Sequence, residues 1–346
     1  MGECKLPTSP LISLLRTPQC VVEFADAHWN EIVEQGRKTQ LLGQLAARLQ
    51  ASGCFEKVPS AVRRHLVLAD LTARRRSEAA FWEIGGIRRA IDSSIPVVIL
   101  KGCAYAAAND ANASGRIFSD VDVMVRRKDL PTVESALISV GWKPSCVSAY
   151  DSAYYRDWMH EVPPMEHVRR HTVVDLHHAI NPPVSRYYID PEQLFACLVE
   201  VMPGIFVLSV QDRIIHCALH LLQEGETKKL IRELYDLHLL LNQHCDSSEC
   251  IQQLEDRADI LQVGRLLRTA VGAAHTLFSE NPGHHHTGWL QGCVERAAHV
   301  DNKNTLLGEL SGLAILAHSH WMKMPMKLLV PHLARKTWVK WFPEKD

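Results

Sequence analysis

Two carboxylates stand two residues apart at Asp120 and Asp122, inside the segment SDVDVMV that runs from Ser119 to Val125. The alternation reads as a β-strand, with Asp120 and Asp122 on one face and Val121, Val123 and Val125 on the other. Two such charges side by side repel, and burying them uncompensated costs on the order of several kcal/mol, so a cation is the expected partner. Magnesium fits: it prefers oxygen ligands, keeps several waters, and sits between a few carboxylates and the phosphates of a substrate. A third carboxylate on a neighbouring strand would let two ions lie about 3.5–4 Å apart, one activating an attacking oxygen and the other holding a leaving group. Asp175, in the expected strand Thr172 to His177, is placed for that. The competing readings are a solvated strand face for Asp120 and Asp122 and a structural hydrogen bond near a sheet edge for Asp175; the apolar residues interleaved between the acids favour the metal.

The phosphate side of such chemistry has a candidate at Lys101-Gly102. Pro96 to Leu100 reads PVVIL, a short run of the kind found in strands buried on both faces, and the small-residue segment CAYAAA that follows the turn reads as helix. A glycine there lets backbone approach a phosphate, the helix aims free N–H groups at it, and Lys101 adds a point charge. Strand-glycine-helix junctions are common for packing reasons alone, so the turn gains meaning only from the D-x-D strand that follows.

Other titratable groups carry weaker signals. His177 and His178 are adjacent on a strand and point to opposite faces, so both cannot easily ligate one ion and one is expected to be structural. His216 and His220 lie one helical turn apart, a zinc-compatible spacing without a third ligand in a zincin pattern. The run His284-His285-His286 after Pro282-Gly283 reads as an exposed loop.

These residues need elements to hold them. Residues 1–94 read as a helical region, with apolar residues three or four apart at Leu41, Leu42, Leu45 and Leu49 and again at Leu66, Leu68 and Leu71. Its last long helix, through Phe81, Ile84, Ile87 and Ile91, should stop near Ser93-Ser94 because Pro96 disfavours helix before it. Residues 95–190 read as an α/β core, in which Asp129 caps a helix that Gly141 ends. Residues 191–346 read as helical, except that Ile205 to Val210 is either a strand or an ordered loop. The last segment sets Trp321, Leu328, Leu329, Trp338, Trp341 and Phe342 among Lys323, Lys327, Arg335, Lys336 and Lys340. That is a basic amphipathic stretch, expected to pack on the body, with peripheral membrane or protein contact as the alternative.

With 346 residues, 47% of them hydrophobic, the chain can bury a sizeable core. A formal net charge of −1 with scattered basic residues excludes the broad footprint of a general nucleic-acid binder. The ten cysteines form no CxxC pair, which argues against a zinc ribbon and suits free thiols in a cytoplasmic protein. No run approaches the roughly 18 apolar residues of a membrane span.

The segments ILKG, SDVDVMV and VVDLHH, with the helix ending at Gly141-Trp142, together resemble a bacterial nucleotidyltransferase family of the DNA polymerase β-like superfamily, whose pattern runs LKG, sDiDlLv, vDLHw. The helical lead-in and the later HCALH and LIRELYDLHLLL segments are similar too. The resemblance implies an α+β fold: a small mixed β-sheet core flanked by amino- and carboxyl-terminal helical regions. It implies that Asp120, Asp122 and Asp175 bind metal, with two Mg2+ ions expected and Mn2+ as the alternative, and that Lys101, Gly102 and Ser119 face the nucleotide. His220, Arg232 and Asp236 would lie on helices closing over the sheet and position nucleotide or acceptor. The other reading of Arg232 and Asp236 is a surface i,i+4 ion pair. The implied activity is transfer of a nucleoside monophosphate from a nucleoside triphosphate to a small-molecule, peptide or macromolecular acceptor. The alternative is a catalytically inactive nucleotide-binding or scaffold protein of the same fold.

Overall fold

The computed structural model describes residues 9–118, 120–145, 148–280, 288–298 and 306–341. Seven strands form one mixed sheet: β1 (Val97–Ile99), β2 (Val121–Met124), β3 (Trp142–Pro144), β4 (Met165–His167), β5 (Val173–His177), β6 (Val199–Met202) and β7 (Ile205–Val207). Their order is β3-β4-β5-β2-β1-β7-β6. At the centre β2 runs antiparallel to β1 and parallel to β5, and β1 runs parallel to β7. Parallel neighbours need a long crossover, which between β2 and β5 carries the helix Leu130–Ser139 together with β3 and β4. Helices make up most of the remainder, so the fold is α+β with a mixed sheet flanked by helices.

The run from Ile205 to Val210, readable from sequence as strand or loop, begins with β7 and leads into the helix Val210–Glu224. That helix is capped by Ser209, whose hydroxyl accepts from the Asp212 backbone N–H at 3.2 Å, and it ends at Gly225 in the left-handed region, φ 67°. Asp129 does not cap the helix Leu130–Ser139 as its sequence position suggested. It ends a 3-10 turn, Arg127–Asp129, and its side chain makes no cap hydrogen bond. Pro131 occupies the helix's second position, so one backbone N–H that a cap would satisfy is absent.

Side-chain alternation divides the sheet between two apolar clusters. Val97, Ile99, Val121, Val123, Val174 and Leu176 pack with Ile84 and Ile87 of the helix Ser60–Ala90 and with Val133 and Leu137. Val98 and Met124 face the other way, into a cluster shared by Leu45 and Leu49, by Leu219 and Leu222, and by Leu234 and Leu237 of the helix Leu230–His244. Helices from early and late in the sequence therefore share one core over this second face. Each such leucine contributes about 1.5–3 kcal/mol when fully buried. Asp122, Asp175 and His177 have the parity of that face, beneath the helical layer, where a charged group must be paired or used.

The helix Met326–Trp341 packs by one side. Leu329 and His332 are buried, and His332 stacks on Tyr154 at 4.3 Å between ring centroids. Met326, Val330 and Trp341 are exposed. Among the described residues no helix is long and apolar enough to cross a membrane, and the cysteines are free thiols.

Candidate active site

The parallel pairing of β2 and β5 sets Asp122 opposite Asp175 in register. Asp122 is buried, and two partners converge on its Oδ1: Lys101 Nζ donates at 2.7 Å and His177 Nε2 lies at 2.9 Å. Burial alone would raise this carboxyl's pKa, but Lys101 and His177 outweigh it and hold Asp122 far below the usual carboxylate range. Burial likewise opposes the charge on Lys101, and Asp122, Glu161 and Asp120 overcome it and hold the ammonium above its ordinary value. Asp175 has the reverse environment. Burial, then the charges of Asp122 and Glu161, push its carboxyl up to about 7, and its Oδ1 is sealed from solvent without a hydrogen-bond partner.

Asp120 and Asp122 open on a cleft between the sheet and the helical layer, with Lys101 and Gly102 on the same side. His220, Arg232 and Asp236 line its opposite wall, so the cleft brings these seven sequence-named residues together. Asp175 is not part of that lining and reaches the group through Asp122. Ser119 lies outside the described residues, as does His284-His285-His286.

The Lys101-Gly102 turn is built differently from its sequence reading. Lys101 itself takes the left-handed conformation, φ 49°. Gly102 is required by protein packing: a Cβ there would lie 2.6 Å from Arg116 Nη1 and 2.9 Å from Phe118 Cβ. The close approach that glycine permits is to the cleft wall.

Arg232 and Asp236 are not a surface pair, because both are buried and each faces elsewhere. Asp236 accepts from Arg116 Nε at 2.8 Å and from Gln44 Nε2 at 2.8 Å, which ties the helix Leu230–His244 to the core and to the helix Leu42–Ala51. Arg232 donates through Nη1 to Gln40 Oε1, while its Nε is buried without a partner. Burial, then the neighbouring Arg116, lower its pKa. His220 Nδ1 lies 3.3 Å from Glu233 Oε1, and the buried His216 is held well below its ordinary pKa by burial and by Lys101. The His216 and His220 rings are 6.4 Å apart, and the pair does not belong to a metal-capable group among the described residues.

Sequence reasoning missed Arg116, Gln40, His160 and Glu161. Arg116 and Gln40 carry no motif, and they reach the cleft only because the helices fold over the sheet. His160 and Glu161 fall in an irregular segment pinned beside β5, where His178 N–H donates to the His160 carbonyl at 2.8 Å and Val162 N–H to the Leu176 carbonyl at 3.0 Å. Among the described residues, the group whose ligand atoms all lie within 4.8 Å of one another is His160, Glu161 and His177, and the three aspartates do not draw together so closely.

A fold of this class, with paired strand carboxylates at the base of a cleft holding Lys101 and Arg232, is suited to a phosphorylated substrate. Residues 25–279 match a family described as an uncharacterised nucleotidyltransferase, which is most of the chain, so the protein belongs to that family. Comparison with curated proteins and with solved structures found no match.

Proposed function

We propose that the chain transfers a nucleoside monophosphate from a nucleoside triphosphate to an acceptor and releases pyrophosphate, with Mg2+ held by Asp120, Asp122 and Asp175. The observation that carries this reading is the register of Asp122 with Asp175 across β2 and β5, at the edge of a cleft lined by Lys101 and Arg232. The donor set suits the ion in kind. It is all oxygen, and the sealed Asp175 Oδ1 is an acceptor awaiting a cation or a proton. When bound, Mg2+ would supply charge neutralisation at the phosphates and at the attacking oxygen.

The protein's own groups account for the remainder. The acceptor oxygen forms a bond to the α-phosphorus as the bond to the β-phosphate breaks, and pyrophosphate leaves with the electron pair. Lys101 and Arg232 present positive charge to the phosphates, and Asp236, held by Arg116 and Gln44, fixes the helix that carries Arg232. Catalysis of this kind rests on positioning and on charge preset in a cleft of low dielectric.

Incubation with each α-labelled nucleoside triphosphate, Mg2+ and candidate acceptors, small molecules and cell extract included, should move label onto an acceptor. Asp120→Asn, Asp122→Asn and Asp175→Asn should each lower transfer at least ~100-fold. Absence of transfer with every triphosphate would sink the enzymatic reading.

One observation favours the second reading, a nucleotide-binding protein without turnover: Asp122 already has Lys101 as a compensating cation at 2.7 Å. Mg2+-dependent triphosphate binding with no acid-dependent product would select it.

A further inference from the structure

The segment His160–Val162 lies antiparallel beside the end of β5, joined by the bridge between Glu161 and His177. That pairing gathers two imidazoles and one carboxylate. The rings of His160 and His177 have centroids 5.2 Å apart, and Glu161 Oε2 is 3.5 Å from His177 Nδ1. A tetrahedral site with metal–ligand bonds of about 2.0–2.1 Å has ligand atoms roughly 3.3–3.5 Å apart, so this separation already suits a bound ion.

Hydrogen bonding fixes what the His177 imidazole offers. His177 is 1% exposed, and its Nε2 lies 2.9 Å from Asp122 Oδ1. A carboxylate accepts and does not donate, so Nε2 carries the hydrogen and, in the neutral ring, Nδ1 presents a lone pair towards Glu161. That Nδ1 is buried without a hydrogen-bond partner, and so is Nδ1 of His160. Two imidazoles and a carboxylate whose ligand atoms lie within 4.8 Å of one another, with both Nδ1 atoms unpartnered, favour something positive between them. A carboxylate behind an imidazole, as Asp122 stands behind His177, is also the usual arrangement for orienting a histidine ligand.

We propose that His160 Nδ1, Glu161 and His177 Nδ1 form a binding site for a first-row transition-metal ion of the zinc or cobalt type, separate from the Mg2+ site of the three aspartates. The nitrogen donors set the selectivity, because Mg2+ seeks oxygen ligands and imidazole suits zinc, cobalt or iron. Such an ion would lock the His160–Val162 segment to β5 and fix the ring that contacts Asp122. The proposal does not depend on nucleotidyl transfer and survives if no triphosphate is turned over.

The test uses the full chain, stripped with chelator and titrated with Co2+ in millimolar Mg2+, reading visible ligand-field absorption and calorimetric stoichiometry. A saturable one-equivalent site with ligand-field bands, displaced by one equivalent of Zn2+, is expected. His160→Ala and Glu161→Gln should each weaken Co2+ binding at least ~10-fold and shift the bands. Asp120→Asn should leave the affinity within about twofold, because it lies outside the proposed ligand set. If one variant fails to fold by circular dichroism, the other decides. The proposal is overturned by the absence of a one-equivalent site, by bands that persist unchanged in His160→Ala or Glu161→Gln, as binding by the His284–His286 run would give, or by bands lost equally in Asp120→Asn.

Discussion

Lys101 Nζ donates to Asp122 Oδ1 at 2.7 Å from a backbone held in the left-handed region, φ 49°. A lysine in that conformation costs about 1 kcal/mol or more, so the ion pair it makes must hold the turn in place. Asp122 is buried and Lys101 mostly so, and removing either partner takes from the other its hydrogen-bonded countercharge.

The two residues should therefore be coupled in stability as well as in function. Lys101→Met and Asp122→Asn are each expected to destabilise the chain by about 2–4 kcal/mol in urea unfolding. The double variant should cost clearly less than their sum, with a coupling energy of about 1–3 kcal/mol. Additive losses would show that the contact does not hold the turn.

Gly102 tests the wall of the cleft. A Cβ at this position would meet Phe118 Cβ at 2.9 Å, an atom fixed to the backbone, so the neighbour cannot simply swing aside. Gly102→Ala is expected to lower stability by about 1–3 kcal/mol and to weaken triphosphate binding, because Phe118 and Arg116 line the cleft. Full stability and unchanged binding would show that the wall yields more easily than this geometry implies.

The pair Glu224 and Lys323 gives a prediction in pH. Lys323 Nζ lies 3.1 Å from Glu224 Oε1 and joins the helix Val210–Glu224 to the helix Leu306–Lys323. Burial alone would raise the glutamate's pKa, but His220 and Lys323 outweigh it and bring it down to about 2. A depressed folded-state pKa gives stability that is complete above the unfolded value, about 4.3 for glutamate, and is lost as pH falls towards about 2. The stability difference between the native chain and Glu224→Gln should thus be greatest at neutral pH and shrink steadily below about pH 4. A difference that is flat across that window would exclude the pair as its source.

The centre of the sheet was legible because its signal is local. PVVIL and SDVDVMV each carry a period that survives folding, and Val121, Val123 and Val125 do lie in the cluster opposite Asp122. The flanking strands β3 and β4 span three residues each, Trp142–Pro144 and Met165–His167, too few for a period to stand out. Side-chain partners were the least legible layer. Asp236 faces the distant Arg116 and not Arg232 one turn away, and His177 meets His160 and Glu161 across a bridge that no spacing rule encodes. Sequence periodicity assigns a residue to a face, whereas its partner on that face is set by which helices fold over it.

Arg232 and Asp236, one turn apart on the helix Leu230–His244, should separate cleanly by experiment. Asp236 accepts from both Arg116 and Gln44 while almost wholly buried, so Asp236→Ala strands a buried guanidinium. It should cost about 3–5 kcal/mol in urea unfolding. Arg232 has no carboxylate within ion-pair distance among the described residues, and its Nε is buried without a partner beside the cleft. Arg232→Gln removes a cation that burial and Arg116 already disfavour, so stability should hold within about 1 kcal/mol or rise. The same change should weaken Mg2+-dependent triphosphate binding by at least ~10-fold, read with a fluorescent triphosphate analogue, because a charge-assisted contact to phosphate is worth about 1.5–3 kcal/mol. The reverse pattern, with Arg232→Gln unfolding the chain and leaving binding intact, would make Arg232 a structural residue and remove it from the phosphate side of the cleft.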